Sequence, residues 1–474
     1  MARKASAKAA PTPAPAEQPQ AEQPPVEQPA AAPQPKSNGK WESAVIVAGA
    51  RTPFVRSFSD LQSMDAVELA KAATAELLER TGFNPDLLDE VIMGCVMPSL
   101  KAPNLAREVV LGLDLPAHIP GMTVARACAS SAQALVLAAQ GIAHGDYQAV
   151  LVGGAESLSN VPVPYKKSVI DALTALSKPG PIAAKLKQFT TLKPKDLIPQ
   201  APDISELATG KSMGWHAELM AQKNGITREQ QDELALASHR NAAAAWDAGK
   251  YAQEVCTVYA PQRSAKGASV KAVERDSYVR GDTSLEKLAT LKPVFDKTYG
   301  SLTAGNSSGL TDGASVVLVL SESKAKELGY QPLARVVSWA SYALRPHEQL
   351  LLGPAYAIPK ALDRANLKLS DMDLIDLHEA FAAQVLSVIQ ALESKEFAQK
   401  ELHRDEAVGV VDRAKLNVNG GSIALGHPFG ATGTRMVLDM AHELQRRQAR
   451  YAILSLCAAG GMGTAIVLER VERN

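Results

Sequence analysis

Short unbroken apolar runs alternate with amphipathic stretches along most of this chain. Residues 44–48, ending at Gly49, and residues 88–94 are too short for helices and read as buried strands. Residues 65–80 and 103–111 repeat their apolar positions at helical spacing, and Arg51-Thr52-Pro53 turns the chain between the two kinds of element. The Ala- and Leu-rich stretch from Ser130 to about Ala143 predicts a helix with Ser130 and Ser131 as N-cap candidates. Residues 149–152 then read as a strand opening into a tight turn at Gly153-Gly154. Strands alternating with helices predict an α/β fold built on a parallel sheet with helices on both faces.

The second half of the chain repeats the plan. Residues 333–339 predict a strand, 354–365 a helix, and 372–378 a strand that overlays 88–94. A helix beginning near Gly430 leads to residues 451–457, which overlay 147–153. Nineteen residues separate Cys128 from Tyr147, and nineteen separate Thr432 from Tyr451. One half therefore reads as a duplicate of the other. The predicted organisation is a tail over 1–40, a first half over 41–160 completed by about 300–328, an inserted domain over 161–299, and a second half over 329–474. The tail is Ala, Pro, Gln and Glu with a loose five-residue repeat, a composition that buries too little apolar surface to order. The insert opens with two short basic amphipathic segments between Lys166 and Lys195, with Val169, Leu173 and Leu176 on one face and Ile182, Leu186 and Phe189 on the next. A solvated face and a membrane or partner contact are both open readings of it. From Gly210 to Tyr251 the pattern is helical, with a cap at Thr227.

Composition narrows the function classes. The 474 residues are 46% hydrophobic, enough for large cores, and 50 Lys and Arg balance 50 Asp and Glu. A net charge of zero gives no field for nucleic acid. The four cysteines, Cys95, Cys128, Cys256 and Cys457, lie far apart with neither a zinc-ligand spacing nor a disulfide framework, which suits a reducing cytoplasm. No metal is implied. No apolar run is long enough to span a bilayer.

Candidate chemistry gathers at element ends. Cys128 lies at a predicted helix N-terminus, where the helix dipole favours thiolate and a lowered pKa. His427 sits in a Gly-rich stretch before Pro428, which holds an imidazole in one orientation, as a general base requires. His378 and a second thiol, Cys457, end neighbouring predicted strands. In a duplicated α/β fold these ends face a shared crevice.

R-A-C-A-S-S at Cys128, H-E-A-F at His378, G-H-P-F-G-A-T-G at His427, C-A-A-G-G at Cys457 and the loop G-N-S-S-G-L-T-D-G from Gly305 to Gly313 together resemble the thiolase family. The resemblance runs from about Trp41 to the C-terminus and implies the duplicated thiolase fold, layered α-β-α-β-α. It also implies cleavage of 3-ketoacyl-CoA by coenzyme A, a co-substrate with no permanently bound cofactor, through an acyl thioester on Cys128. His427 is then the base, Cys457 the acid and base at the enolate carbon, and His378 part of an oxyanion hole. Gly305, Ser308 and the backbone of Ala459 contact substrate. Ala459 replaces a glycine that many relatives carry, and Ser212 stands where short-chain biosynthetic members have histidine, which favours degradation over acetoacetyl-CoA synthesis by an acetyltransferase. H-E-A-F in place of N-E-A-F and the basic insert are similar to the thiolase subunit of trifunctional fatty-acid oxidation complexes. That likeness implies a homodimer, a hydratase/dehydrogenase partner and a cytoplasmic or membrane-peripheral site. Cys457 argues against a decarboxylating ketosynthase, which needs no thiol acid, and the intact side chains argue against a silent scaffold.

Overall fold

Nine strands and the helices packed on them carry the site. The computed structural model describes residues 42–472 except 191, 199–204 and 265–266. The predicted tail, and Trp41 where order was expected to begin, lie outside the described residues. The elements of the first half are β1 (Ala44–Arg51), α1 (Ala66–Thr81), β2 (Glu90–Gly94), α2 (Leu105–Gly112), β3 (Gly121–Val124), α3 (Ser130–His144) and β4 (Ala149–Ser157). Then come α4 (Lys167–Ser177), α5 (Ile182–Phe189), α6 (Met213–Asn224) and α7 (Arg228–Asp247). The rest are β5 (Thr311–Ser321), β6 (Ala334–Ala343), α8 (Gly353–Ala365), β7 (Leu374–Leu377), α9 (Ala382–Glu393), α10 (Thr432–Arg447), β8 (Tyr451–Ala458) and β9 (Met462–Arg470).

Strand order is β7-β8-β9-β6-β1-β5-β4-β2-β3. The sheet is mixed rather than parallel. β2 runs parallel to β3 and β4, and β7 parallel to β8, while β4/β5, β5/β1, β8/β9 and β9/β6 are antiparallel. An unbroken apolar run reports burial on both faces and not strand direction, so the pattern could not separate the two arrangements. The duplication is visible in the pairing: β2, β4, β5 and β1 have counterparts β7, β8, β9 and β6. Even the parallel partner β3 is echoed by a single parallel bridge from Ile375 to Leu416.

Side chains alternate between layers as the strand period of two requires. Val45, Val91 and Leu151 join one core with Leu69 and Leu77 of α1, whereas Ile46, Ile92 and Val150 join a second with α3 and α10. In the other half, Leu454 and Ile466 face that second core, while Ile453 and Val467 face a third with α8 and α9. The layers are therefore α1/α2, half-sheet, α3/α10, half-sheet, α8/α9. Helices α3 and α10 form the middle layer, and α10 is buried over nearly its whole length, from Thr432 to Leu444.

Several local expectations are corrected. Ser130 and Ser131 do not cap α3; Ala129 holds that position, and the Ser130 hydroxyl donates instead to the Ala127 carbonyl at 2.6 Å. Gly153 and Gly154 are not a turn but lie within β4, where a Cβ on Gly154 would overlap the Gly430 carbonyl. Thr227 caps α7 with Gln230 in a capping box. In α4, Val169 is buried as expected, but Leu173 is 50% exposed.

Candidate active site

The N-termini of the two middle-layer helices meet, and the candidate residues lie there. Ahead of α3, Ala127 has φ of 45°, a left-handed conformation that costs a non-glycine residue about 1–2 kcal/mol. The Ser130 hydroxyl holds this turn, accepting from the Arg126 N–H at 2.8 Å while donating to Ala127. Ahead of α10, Gly426 takes φ of 98°, which glycine alone adopts freely, and the His427 N–H donates to the Gly309 carbonyl at 3.0 Å.

Across this junction His427 Nε2 lies 3.1 Å from Cys128 Sγ. The other ring nitrogen, Nδ1, lies 2.7 Å from Thr432 Oγ1, whose hydroxyl in turn reaches the Pro428 carbonyl at 3.5 Å. A hydroxyl that donates to a carbonyl accepts from the imidazole, so Nδ1 carries the hydrogen and Nε2 offers its lone pair to the thiol. Burial pushes the His427 pKa down to about 3, and the positive Arg435 adds to it, so the ring is neutral and able to accept a proton. Burial also pushes the Cys128 thiol up to about 12, against the pull of its own backbone N–H and that of Ala459. The expected lowering by the helix N-terminus is therefore overturned: the resting pair is thiol and neutral imidazole.

His378 follows β7 and stacks obliquely on His427 with ring centroids 4.2 Å apart. Its Nδ1 is 2.9 Å from Ser422 Oγ, and its Nε2 is buried with no hydrogen-bond partner among the described residues. Burial, the His427 ring and Arg435 hold it well below the ordinary histidine range. Cys457 is buried at the end of β8, and both burial and the nearby Cys128 sulfur push its thiol up, which puts the two sulfurs within electrostatic reach. Cys128, His378 and His427 each offer a donor atom within 4.8 Å of the others, a set able to hold a metal ion.

The loop from Gly305 to Gly313 passes beside this cluster. The Ser308 N–H donates to the Ala380 carbonyl at 3.0 Å, and Ser307 bridges to Phe381, so the loop is laced to the H-E-A-F segment. Gly305 packs on Leu288 and Leu291, where a Cβ would collide, so packing alone accounts for its glycine. Ser212 caps α6, accepting from the Trp215 N–H at 3.2 Å.

Some groups that hold the site carry little sequence signal. Glu156, buried at the end of β4, accepts from Val96 N at 3.0 Å, Met97 N at 2.8 Å and Gly430 N at 3.0 Å, which ties the first half to the entry of α10. Glu379 accepts from Ser238 Oγ, Asn417 Nδ2 and Ile423 N at 2.6, 2.6 and 3.1 Å. Thr432, Ser422 and Glu156 stand out only once the chain is folded. Glu379 could have been found from its place beside His378.

Two half-sheets around a shared helical layer, with a cysteine-histidine pair at the joined N-termini, define a class: acyltransferases of duplicated α/β fold. Residues 44–323 match the family described as "Thiolase, N-terminal domain", and residues 330–470 match "Thiolase, C-terminal domain". The chain is 47% identical over 423 residues to a 3-ketoacyl-CoA thiolase of Pectobacterium carotovorum, covering 89% of this chain and 95% of that one. It is 47% identical over 424 residues to one of Alteromonas mediterranea, covering 90% and 96%. Among solved structures, human mitochondrial 3-ketoacyl-CoA thiolase matches with a TM-score of 0.77 and 33% identity, over 91% of this chain and all (100%) of that one. Bacillus anthracis acetyl-CoA acetyltransferase matches with a TM-score of 0.76 and 35% identity, over 91% and 99%. The chain belongs to the thiolase family.

Proposed function

We propose that the protein cleaves 3-ketoacyl-CoA with coenzyme A, releasing acetyl-CoA and an acyl-CoA shortened by two carbons, as a step of fatty-acid β-oxidation. The observation that carries the reading is the oriented contact between Cys128 Sγ and His427 Nε2 at 3.1 Å, in a chain 47% identical to 3-ketoacyl-CoA thiolases. His427 takes the thiol proton as Cys128 attacks the 3-keto carbon. The carbon-carbon bond then breaks, and the electron pair leaves as the acetyl-CoA enolate, whose oxygen is met by His378 Nε2–H and by protonated His427. Cys457 protonates the enolate carbon and afterwards takes the proton of incoming coenzyme A. That thiolate attacks the acyl thioester, whose oxyanion is held by the backbone N–H groups of Cys128 and Ala459; the bond from the acyl carbon to Cys128 then breaks, and His427 returns its proton to the leaving sulfur. Ser308 and Gly305 line the coenzyme A approach. The test is incubation of purified protein with 3-ketoacyl-CoA of graded chain length and coenzyme A, with products read by mass spectrometry. Formation of acetyl-CoA and an acyl adduct on Cys128 is the expected result; a protein that only condenses acetyl-CoA into acetoacetyl-CoA would be an acetyltransferase instead.

The partners follow from the same reading. A homodimer, joined to a hydratase/dehydrogenase subunit, is consistent with the H-E-A-F and insert features; mass photometry of the two subunits mixed, showing only free dimer, would refute the complex. The cytoplasm suits four free cysteines. No helix among the described residues is long and apolar enough to cross a membrane. On α4 and α5, however, Ile170, Leu173 and Ile182 are exposed among lysines, a combination that suits the surface of an anionic bilayer. Deleting residues 166–195 is expected to abolish flotation with anionic liposomes, and unchanged flotation removes the membrane reading.

A further inference from the structure

Cys128 Sγ, His378 and His427 are the one group of three such donors among the described residues whose ligand atoms all lie within 4.8 Å of one another. Thiolate and imidazole are the ligands that zinc and its neighbours prefer, and the cluster contains no carboxylate to favour magnesium or calcium. His378 Nε2 adds an independent sign of a ligand. It is buried, and no hydrogen bond among the described residues satisfies it. Each imidazole is also steadied from behind by a hydroxyl, Ser422 for His378 and Thr432 for His427. Such outer hydrogen bonds fix metal-binding histidines. A serine hydroxyl both donates and accepts, so His378 can change tautomer in place and turn a lone pair toward the cleft.

We propose that Cys128, His378 and His427 form a chelating site for a zinc-class divalent cation, which enters the cleft in place of substrate and holds the enzyme inactive. The inhibitory consequence rests on the thiolase reading; the chelate itself rests on the donors alone. Bonds of about 2.0–2.1 Å to nitrogen and about 2.3 Å to sulfur put donors around a tetrahedral ion roughly 3.3–3.6 Å apart. The Cys128–His427 contact of 3.1 Å must open slightly, and the His378 donor already lies within 4.8 Å of the other two. The fourth position is left to water or to an arriving thiol. As the sulfur–metal bond forms, the thiol proton leaves to solvent; both imidazoles bind neutral, and nothing is oxidised or reduced. An asparagine at position 378 would have no ring nitrogen to offer, so the site depends on this chain's histidine.

Cobalt(II) reports the site directly, because cysteine bound to cobalt gives a near-ultraviolet charge-transfer band. Anaerobic titration of the full chain is expected to saturate at one cobalt per chain, with zinc displacing it. The band should vanish in C128S, and H378N should bind at least tenfold more weakly with unchanged circular dichroism and thermal midpoint. If a variant misfolds, wild-type protein alkylated at Cys128 must lose the band instead. Absence of the band in wild type, or undiminished binding by H378N, overturns the proposal. Thiolysis measured on the metal-free protein separates the two readings. Activity without a cobalt site defeats the chelate alone, whereas a cobalt site without activity supports the chelate and defeats the proposed reaction.

Discussion

Burial and the helix N-terminus act on Cys128 in opposite senses. A helix end stabilises a nearby anion by about 0.3–1 kcal/mol, whereas taking the charge out of water moves a pKa by up to about 3–5 units, each unit being about 1.4 kcal/mol. Desolvation therefore wins, and the thiol rises to about 12. The neutral pair has a measurable consequence in the free enzyme. Alkylation of Cys128 by iodoacetamide, followed by intact mass, is expected to accelerate about tenfold per pH unit from pH 7 to 9 as the thiolate fraction grows. A rate that is flat across that range means a preformed thiolate and defeats the neutral-pair account. Thr432 makes a second prediction, since it holds the tautomer that leaves Nε2 free. Thr432→Val is expected to lower kcat about ten- to a hundredfold with little change in KM, and Thr432→Ser to restore it. His427 and Cys457 were legible in the sequence because they sit in motifs dense in glycine, and Cys128 and His378 because R-A-C-A-S-S and H-E-A-F carry the family resemblance. The hydroxyls behind them were not, because a serine or threonine gains meaning only from the ring it touches.

At the scale of elements, most strands and helices follow from apolar spacing, and the failures share a cause. Gly153-Gly154 reads as a turn because glycine usually breaks a strand, yet β4 continues through both to Ser157. The glycines are required from outside the element: the entry to α10 crosses β4 so closely that the Gly430 carbonyl occupies the space of a Gly154 Cβ. This approach also brings Gly430 N to Glu156 and so sets His427 against Cys128. Gly154→Ala is expected to destabilise the protein by about 3 kcal/mol, the upper end of the overpacking range, because the clash is with backbone that cannot rotate away. Urea unfolding checks it, and a loss below about 1 kcal/mol would mean the crossing is looser than described. Strand register shows the same limit. Glu90 pairs with Val150, but the overlaid Leu374 pairs with Ala452 rather than Leu454, the counterpart of Val150. A two-residue slip keeps every side chain on its face, so the apolar pattern carries no trace of it.

Across the whole molecule, duplication puts two helix N-termini in one buried middle layer, and burial in that layer and in the elements around it sets the response to pH. Burial holds several histidines neutral, His239 at about 4 with help from Arg280 and His427 at about 3. It also pushes carboxyls up, among them Glu254, raised by burial and by the neighbouring Asp439 despite Arg51. The two kinds of group act with opposite sign. A histidine lowered on folding binds fewer protons folded than unfolded, so its contribution is complete above about pH 6.5 and is lost as pH falls through the folded value. A carboxyl raised on folding contributes below its unfolded value of about 4.3 and loses that contribution as pH climbs. His239→Gln keeps an acceptor for the Arg280 N–H, which His239 Nδ1 now receives at 3.4 Å. This variant is expected to lose about 2 kcal/mol less stability than wild type between pH 7 and pH 5. Glu254→Gln is expected to gain on wild type as pH rises from 5 to 8. Urea midpoints at the three pH values measure both, and because the remaining buried groups are common to all three proteins, their effects cancel in each difference. Slopes that parallel wild type in both variants would show that these side chains titrate alike in the folded and unfolded chain, and burial would then not be what holds them away from their ordinary values.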